Sequence, residues 1–228
     1  MRPSAGFLLA TLLLCPITGV AYAVDSAGVV TAVSGEVYGQ LADEPQRELA
    51  VNAKVFVGDS ISTAERSNVE LEFSDQTRLA LGPGSRISLT RYRYAPDAAQ
   101  SVFETRIAQG VFRFFSGLIA KHRPQAVTIA LPVATIGIRG THVLGEVTAT
   151  SAVVALLEPE ESGAAAAIEV SNQYGSVVLD QPNYETVIPD ANSPPSPPRR
   201  VQIQRIDNLL RSIHTLRRIT IPRPSLQR

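Results

Sequence analysis

Cysteine occurs once, as Cys15, tryptophan not at all, and histidine three times in 228 residues. Cys15 falls inside an N-terminal segment that reads as removable, so the mature chain is expected to carry no thiol. That excludes disulfides, thiolate nucleophiles and Cys-ligated metals. His122, His142 and His214 stand at no metal-ligand spacing from one another or from a suitable carboxylate pair. Each reads as an ordinary surface or strand residue. The chain also lacks a Gly-x-Ser-x-Gly elbow, a phosphate loop with a following lysine, and a dinucleotide fingerprint. After the N-terminus no apolar stretch approaches membrane-spanning length. No segment of the body repeats its apolar residues with helical period.

What is present begins with an export pattern. Arg2 precedes an apolar run from Phe7 to Cys15, and Ala21-Tyr22-Ala23 supplies a small-x-small site before Asp25. Cleavage after Ala23 is expected, with a periplasmic or secreted product. An uncleaved anchor over Phe7 to Val24 is the competing reading, but Pro16, Thr18 and Gly19 interrupt it. A lipid anchor on Cys15 would want a small residue before it, where Leu14 stands. The mature chain of about 205 residues can bury one substantial core.

Charge is balanced only on average, at 21 basic and 21 acidic residues. Residues 24–198 hold 12 Lys/Arg against 20 Asp/Glu, while 199–228 hold 8 arginines against Asp207 alone. An acidic body thus carries a basic tail. Such asymmetry points to an anionic surface for the tail: a partner, a membrane or wall, or the body itself.

Between Val29 and Ile188 apolar residues recur at every second position. Val69, Leu71 and Phe73 alternate with Glu70 and Glu72, and Val127, Ile129 and Leu131 repeat the pattern. This is the mark of strands buried on one face. Turn residues interrupt the runs at Gly58-Asp59, Ser74-Asp75, Gly82-Pro83-Gly84, Ala95-Pro96-Asp97, Gly110, Gly117 and Gly140. The expected class is all-β: sandwich, barrel or solenoid. Val111 to Phe115 and Val153 to Leu157 are apolar on both faces, which places them centrally or between two layers.

Residues 189–198 (PDANSPP and SPP) have nothing apolar to bury and read as a proline-rich linker. From 199 to 221, Ile203, Ile206, Leu209, Leu210, Ile213 and Leu216 recur at spacings of three and four with arginines between. This predicts a basic amphipathic helix, stopped by Pro222 and Pro224. Arg199, Arg200, Arg205, Arg211, Arg217 and Arg218 become candidate contacts to a membrane or envelope partner. Folding back on the acidic body is an equal alternative, because the apolar stripe must be covered by something. Nucleic acid is not an expected partner, since no aromatic residues interleave the arginines. The Glu70/Glu72 carboxylate pair could in principle serve glycoside chemistry, but a solvated strand face is the better reading.

Four stretches resemble, in order, the FecR domain: Val33 to Gly39, Val55 to Leu89, Gln109 to Phe115 and Leu131 to Val147. The Gly-Asp-x-Ile-x-Thr turn is carried by Gly58, Asp59, Ile61 and Thr63, and the terminal corner by Arg139, Gly140 and Thr141. Gln76 departs from the pattern, standing where the family has glycine. The resemblance implies an exported β-rich domain over 24–188, motif core 33–147, with short strands coiled in a solenoid-like or sandwich-like manner. It further implies kinship with regulators that relay a siderophore-receptor signal through an anti-sigma protein. Only six residues precede the apolar segment, so a cytoplasmic sigma-binding part is not expected here, nor is a counterpart of the receptor-contacting domain. The motif residues read as structural: Gly140 to permit the turn, Thr141 to cap it, Arg139 to fork onto neighbouring carbonyls. The expectation is a non-enzymatic envelope binding or scaffold module without cofactor or metal. The alternative is a component of an envelope signalling or iron-uptake relay with a separate membrane partner. The sequence leaves the oligomeric state open.

Overall fold

The computed structural model describes residues 26–140, 142–158 and 166–214. Among these the chain forms β1 (Ser26–Ser34), β2 (Val37–Gln40), β3 (Arg47–Glu48), β4 (Lys54–Phe56), β5 (Ser60–Thr63), β6 (Asn68–Phe73), β7 (Arg78–Leu81), β8 (Arg86–Arg93) and β9 (Val102–Phe115). A short helix α1 (Leu118–His122) follows. Then come β10 (Val127–Ala130), β11 (Thr135–Arg139), β12 (His142–Val147), β13 (Ala152–Leu157), β14 (Ala167–Asn172), β15 (Gly175–Leu179), β16 (Tyr184–Ile188), β17 (Arg199–Arg200) and helix α2 (Ile203–His214).

The pairings resolve into two layers. Layer one runs β4-β1-β6-β7-β9-β12-β13-β16-β17. Layer two runs β3-β2-β5-β8-β9-β10-β11-β14-β15. Both contain β9: its first part pairs with β8 and β10, and from Gly110 onward it pairs with β7 and β12. The switch occurs at Gly110, whose φ of 106° is open to glycine and where a Cβ would lie 2.1 Å from the Ser85 hydroxyl. No other residue fits that bend.

The alternating residues do what their spacing requires. Val69, Leu71 and Phe73 point inward and are at most 3% exposed. Inward side chains of both layers form one core, at whose centre Phe103 meets Phe73 edge-on at 4.8 Å and Phe114 at 5.5 Å. The solenoid reading is corrected to an open, sandwich-like pair of sheets. A solenoid stacks coil upon coil, whereas here neighbours pair antiparallel throughout, apart from the parallel β9–β10 contact.

The outer face of layer one carries a second, smaller cluster. Ala80, Leu144, Ala155 and Leu157 meet Val201 and Ile213, with Val111, Ile206, Leu209 and Leu210 around them. β13 and the end of β9 therefore lie between two layers, with the core on one side and α2 on the other. This is why they are apolar on both faces.

The segment 189–198 is not a free linker. Ser196 accepts from Val187 N–H through its hydroxyl at 3.0 Å and from Thr186 through its carbonyl at 2.7 Å, and Asn172 donates to the Ser193 carbonyl at 2.8 Å. Pro195 is buried. Polar hydrogen bonds, invisible to hydropathy, sew this strip to β16 and to the end of β14. The helix is likewise shorter at its start than the 199–221 spacing predicts: Arg199 and Arg200 form β17, pairing with Glu185 and Tyr184, and α2 begins at Ile203.

Candidate functional site

Each motif residue of the Gly58–Thr63 turn is engaged in the fold. Gly58 takes a φ of 92° and donates its N–H to the Leu89 carbonyl at 2.8 Å. Asp59 is fully buried. Arg47 grips it with both terminal nitrogens, at 2.9 and 2.5 Å, and Phe56 N–H donates to the same carboxylate at 2.8 Å. A buried carboxylate is tolerated because a bidentate cation and a backbone donor replace its water. Thr63 donates to the Gly82 carbonyl at 2.7 Å and accepts from Ser85 N–H at 2.9 Å, while Ser85 donates its hydroxyl to Gly82. These groups lock β5 to the turn before β8.

The Arg139–Gly140 corner moves the chain between layers, since β11 pairs in layer two and β12 in layer one. Gly140 makes the crossing with a φ of 60°. Arg139 is exposed and has no hydrogen-bond or ion-pair partner among the described residues. Among the described residues the guanidinium clamp finds no partner, and the crossing is made by the backbone at Gly140. Thr141 lies outside the described residues.

Two clusters were not legible in the sequence. Asp75 is fully buried and accepts from Thr77 N–H, Thr77 hydroxyl (2.7 Å), Tyr92 hydroxyl and Ile119 N–H, while its carbonyl accepts from Leu118 N–H at 2.8 Å. It thus caps α1 from another turn, where Gly117 offers no side chain. Burial, then the Asp75 charge, push the Tyr92 hydroxyl well above its ordinary pKa. In the second cluster His142 is 7% exposed, stacks on Phe115 at 4.1 Å, and accepts from Arg113 Nε at 2.6 Å. Its Nδ1 then donates to the Glu158 carbonyl at 3.1 Å, which fixes the neutral tautomer. Arg78 and Arg113 each lie 4.3 Å from the Phe115 ring. Only the opposition of Arg78 and His142 to Phe115 across three strands brings these groups together.

The candidate tail contacts are divided. Arg199 pairs with the nearly buried Glu185 at 2.9 Å, and Arg200 lies over Tyr184. Arg211 is exposed on α2. The side chain of Arg205, and Arg217 and Arg218, lie outside the described residues. Glu70 and Glu72 share the outer face of β6, with Glu72 exposed. No group of three or more potential metal ligands is clustered among the described residues. No helix there is long and apolar enough to cross a membrane.

Residues 59–160 match the FecR protein family. No curated protein matches the chain. Two crystal structures of a candidate anti-sigma factor from Parabacteroides distasonis, at 1.65 and 2.50 Å resolution, are similar in fold. Each has a TM-score of 0.50 and 14% identity over 66% of this chain. The chain spans 64% and 63% of their lengths. At that identity the likeness speaks for the fold alone. The matched segment opens at Asp59 and holds Thr63, Asp75 and the interlayer corner, while Arg47, Phe56 and Gly58 of the turn network precede it, and over residues 59–160 the chain is similar to the FecR domain.

Proposed function

We propose that the chain is exported, loses residues 1–23, and acts in the cell envelope as a non-enzymatic binding module of a signalling relay with a separate membrane partner. One observation carries this reading. Within the FecR segment the buried polar groups Asp59, Thr63, Asp75, Thr77 and Ser85 are satisfied by one another, by backbone and by the Arg47 and Tyr92 side chains, so none is held in reserve for chemistry. What the domain offers outward is surface. The name of its fold neighbours, anti-sigma factor, favours signalling among the kinds of binding such a surface could serve.

The basic helix takes a different role from the membrane contact its arginines suggested. Among the described residues, Ile206, Leu209, Leu210 and Ile213 of its stripe pack on layer one, with Gln204, Asp207, Asn208 and Arg211 outward. Attachment by isoleucines dipping into lipid would require α2 to leave the body. The test uses the full chain in its cell of origin, with photo-crosslinkers at the exposed Thr135, Arg139 and Glu169. A product beginning at Val24 outside the cytoplasm, crosslinked to a membrane-embedded regulator, is expected. An unprocessed cytoplasmic product, or unchanged envelope-gene transcription on deleting the gene, overturns the reading.

A further inference from the structure

Two open layers have four edges, and an exposed edge is a template for another strand unless it is blunted. Three of these are. β3 is two residues, Arg47 and Glu48; β4 is three and begins with Lys54; β17 is Arg199 and Arg200. Short length and charge are the ordinary defences. β15 has neither. It is five residues, Gly-Ser-Val-Val-Leu, with no charge and no proline, and among the described residues it pairs with β14 alone. Val178, on its outward face, is 54% exposed, and Tyr174, at the turn leading in, is 48% exposed. The first residue is shielded, because Gly175 lies against Pro194.

We propose that β15 is a docking edge for a second copy of this chain, the two strands pairing antiparallel about a twofold axis at Val178 and joining the two second layers into one continuous sheet. Charge selects the occupant. Three of the chain's edges would bring Arg, Lys or Glu to an uncharged strand, whereas β15 meets itself without a charge inside the strand, and the exposed Asp180 that follows it falls opposite Ser176 of the partner subunit. Centring on Val178 keeps Pro194 clear and places the two half-exposed valines directly opposite, each covering the other. The nearest charge in that row is Glu169, paired with Val178 on β14. Its symmetry mate lies three strand spacings away, about 14 Å, beyond the Debye length of about 10 Å at 0.1 M salt. Asp180 and its symmetry mate, offset by four residues along the paired strands, are likewise about 14 Å apart, so little repulsion opposes the pairing. Five residues a side make a small interface, so the dimer is weak, with dissociation on the order of 10–100 μM.

The test is sedimentation equilibrium of the chain as recovered from expressing cells, from about 5 μM to 1 mM, a range that brackets this constant. A monomer–dimer equilibrium is expected. Val178→Lys weakens it at least tenfold with an unchanged circular-dichroism spectrum, and Val51→Lys, an equally exposed valine elsewhere, leaves it unchanged. Val178→Cys, in a chain whose only other cysteine is Cys15, forms a disulfide-linked dimer under mild oxidation. A monomer throughout the range, or a dimer indifferent to Val178→Lys, overturns the assignment. So does a photo-crosslinker at position 178 that captures a different protein in cells and never the chain itself. The signalling relay does not depend on this pairing: a monomeric chain leaves the relay standing, and loss of the relay leaves the dimer measurable.

Discussion

Layer one and layer two share a core and a strand, yet their outer faces are finished differently. The middle of layer one presents Ala80, Leu144, Ala155 and Leu157 outward and is covered by α2. Layer two presents Thr135, Arg139, Glu169 and Ser176, all exposed. The difference lies in alternate residues of the same strands. Where the second side of a strand is apolar the chain must supply another layer, and where it is polar or charged the sheet can end the molecule or meet something else.

Removing the cover is the most severe way to break this contrast. A chain ending at Arg200 loses α2, bares Leu144 and Leu157, and is expected to lose on the order of 4 kcal/mol of stability. Its thermal midpoint should fall by about 10 °C with new binding of a hydrophobic dye. An unchanged midpoint would mean that α2 merely rests on the sheet. Asp59→Ala attacks layer two at its turn instead. It strands Arg47 and the Phe56 N–H and should cost about 3 kcal/mol by urea unfolding, without dye binding to the native state. A loss below about 1 kcal/mol would show that the bidentate pair is no stronger than a surface ion pair.

Tyr92→Phe probes a group lodged between the layers. The folded state holds the Tyr92 hydroxyl protonated beyond its unfolded pKa, so its contribution is whole below about pH 10 and is lost as pH rises above that. The variant should be about 1 kcal/mol less stable at neutral pH and show a shallower alkaline decline. Parallel stability curves for the two proteins up to the alkaline limit would contradict this. The smallest effect belongs to Gln76, whose φ of 68° is a left-handed conformation normally left to glycine. Gln76→Gly relieves that strain at the cost of unfolded-state freedom, with a net gain of about 0.5 kcal/mol or one to two degrees in melting temperature. A loss of stability there would mean that the Asp75 turn uses the glutamine side chain.

The one-sided strands were readable because alternation at Val69–Phe73 or Val127–Leu131 records burial directly. So was the two-sided character of β13 and the end of β9. The cover of layer one was readable only in halves: the stripe of α2 and the second apolar face of β13 were both visible, but not that each answers the other. Which strand neighbours which depends on pairings far apart in the chain, such as Gly28 of β1 with Phe73 of β6. Hydropathy carries no trace of those, so the strand pattern left sandwich, barrel and solenoid open. The Gly58–Thr63 turn was located correctly, but its cation, Arg47, comes from a separate strand. His142 was read as ordinary because its importance arises from Phe115 and Arg113 on the adjacent strand. Segment 189–198 looked unattached because hydroxyls and amides hold it.

The single long strand β9 has a mechanical meaning. Because one unbroken peptide belongs to both sheets, they cannot slide past or part from one another without tearing its backbone ladder, so a pull applied at either sheet is borne by the same fourteen residues. The domain should yield all at once, and a load received on one broad surface arrives undiminished at the other.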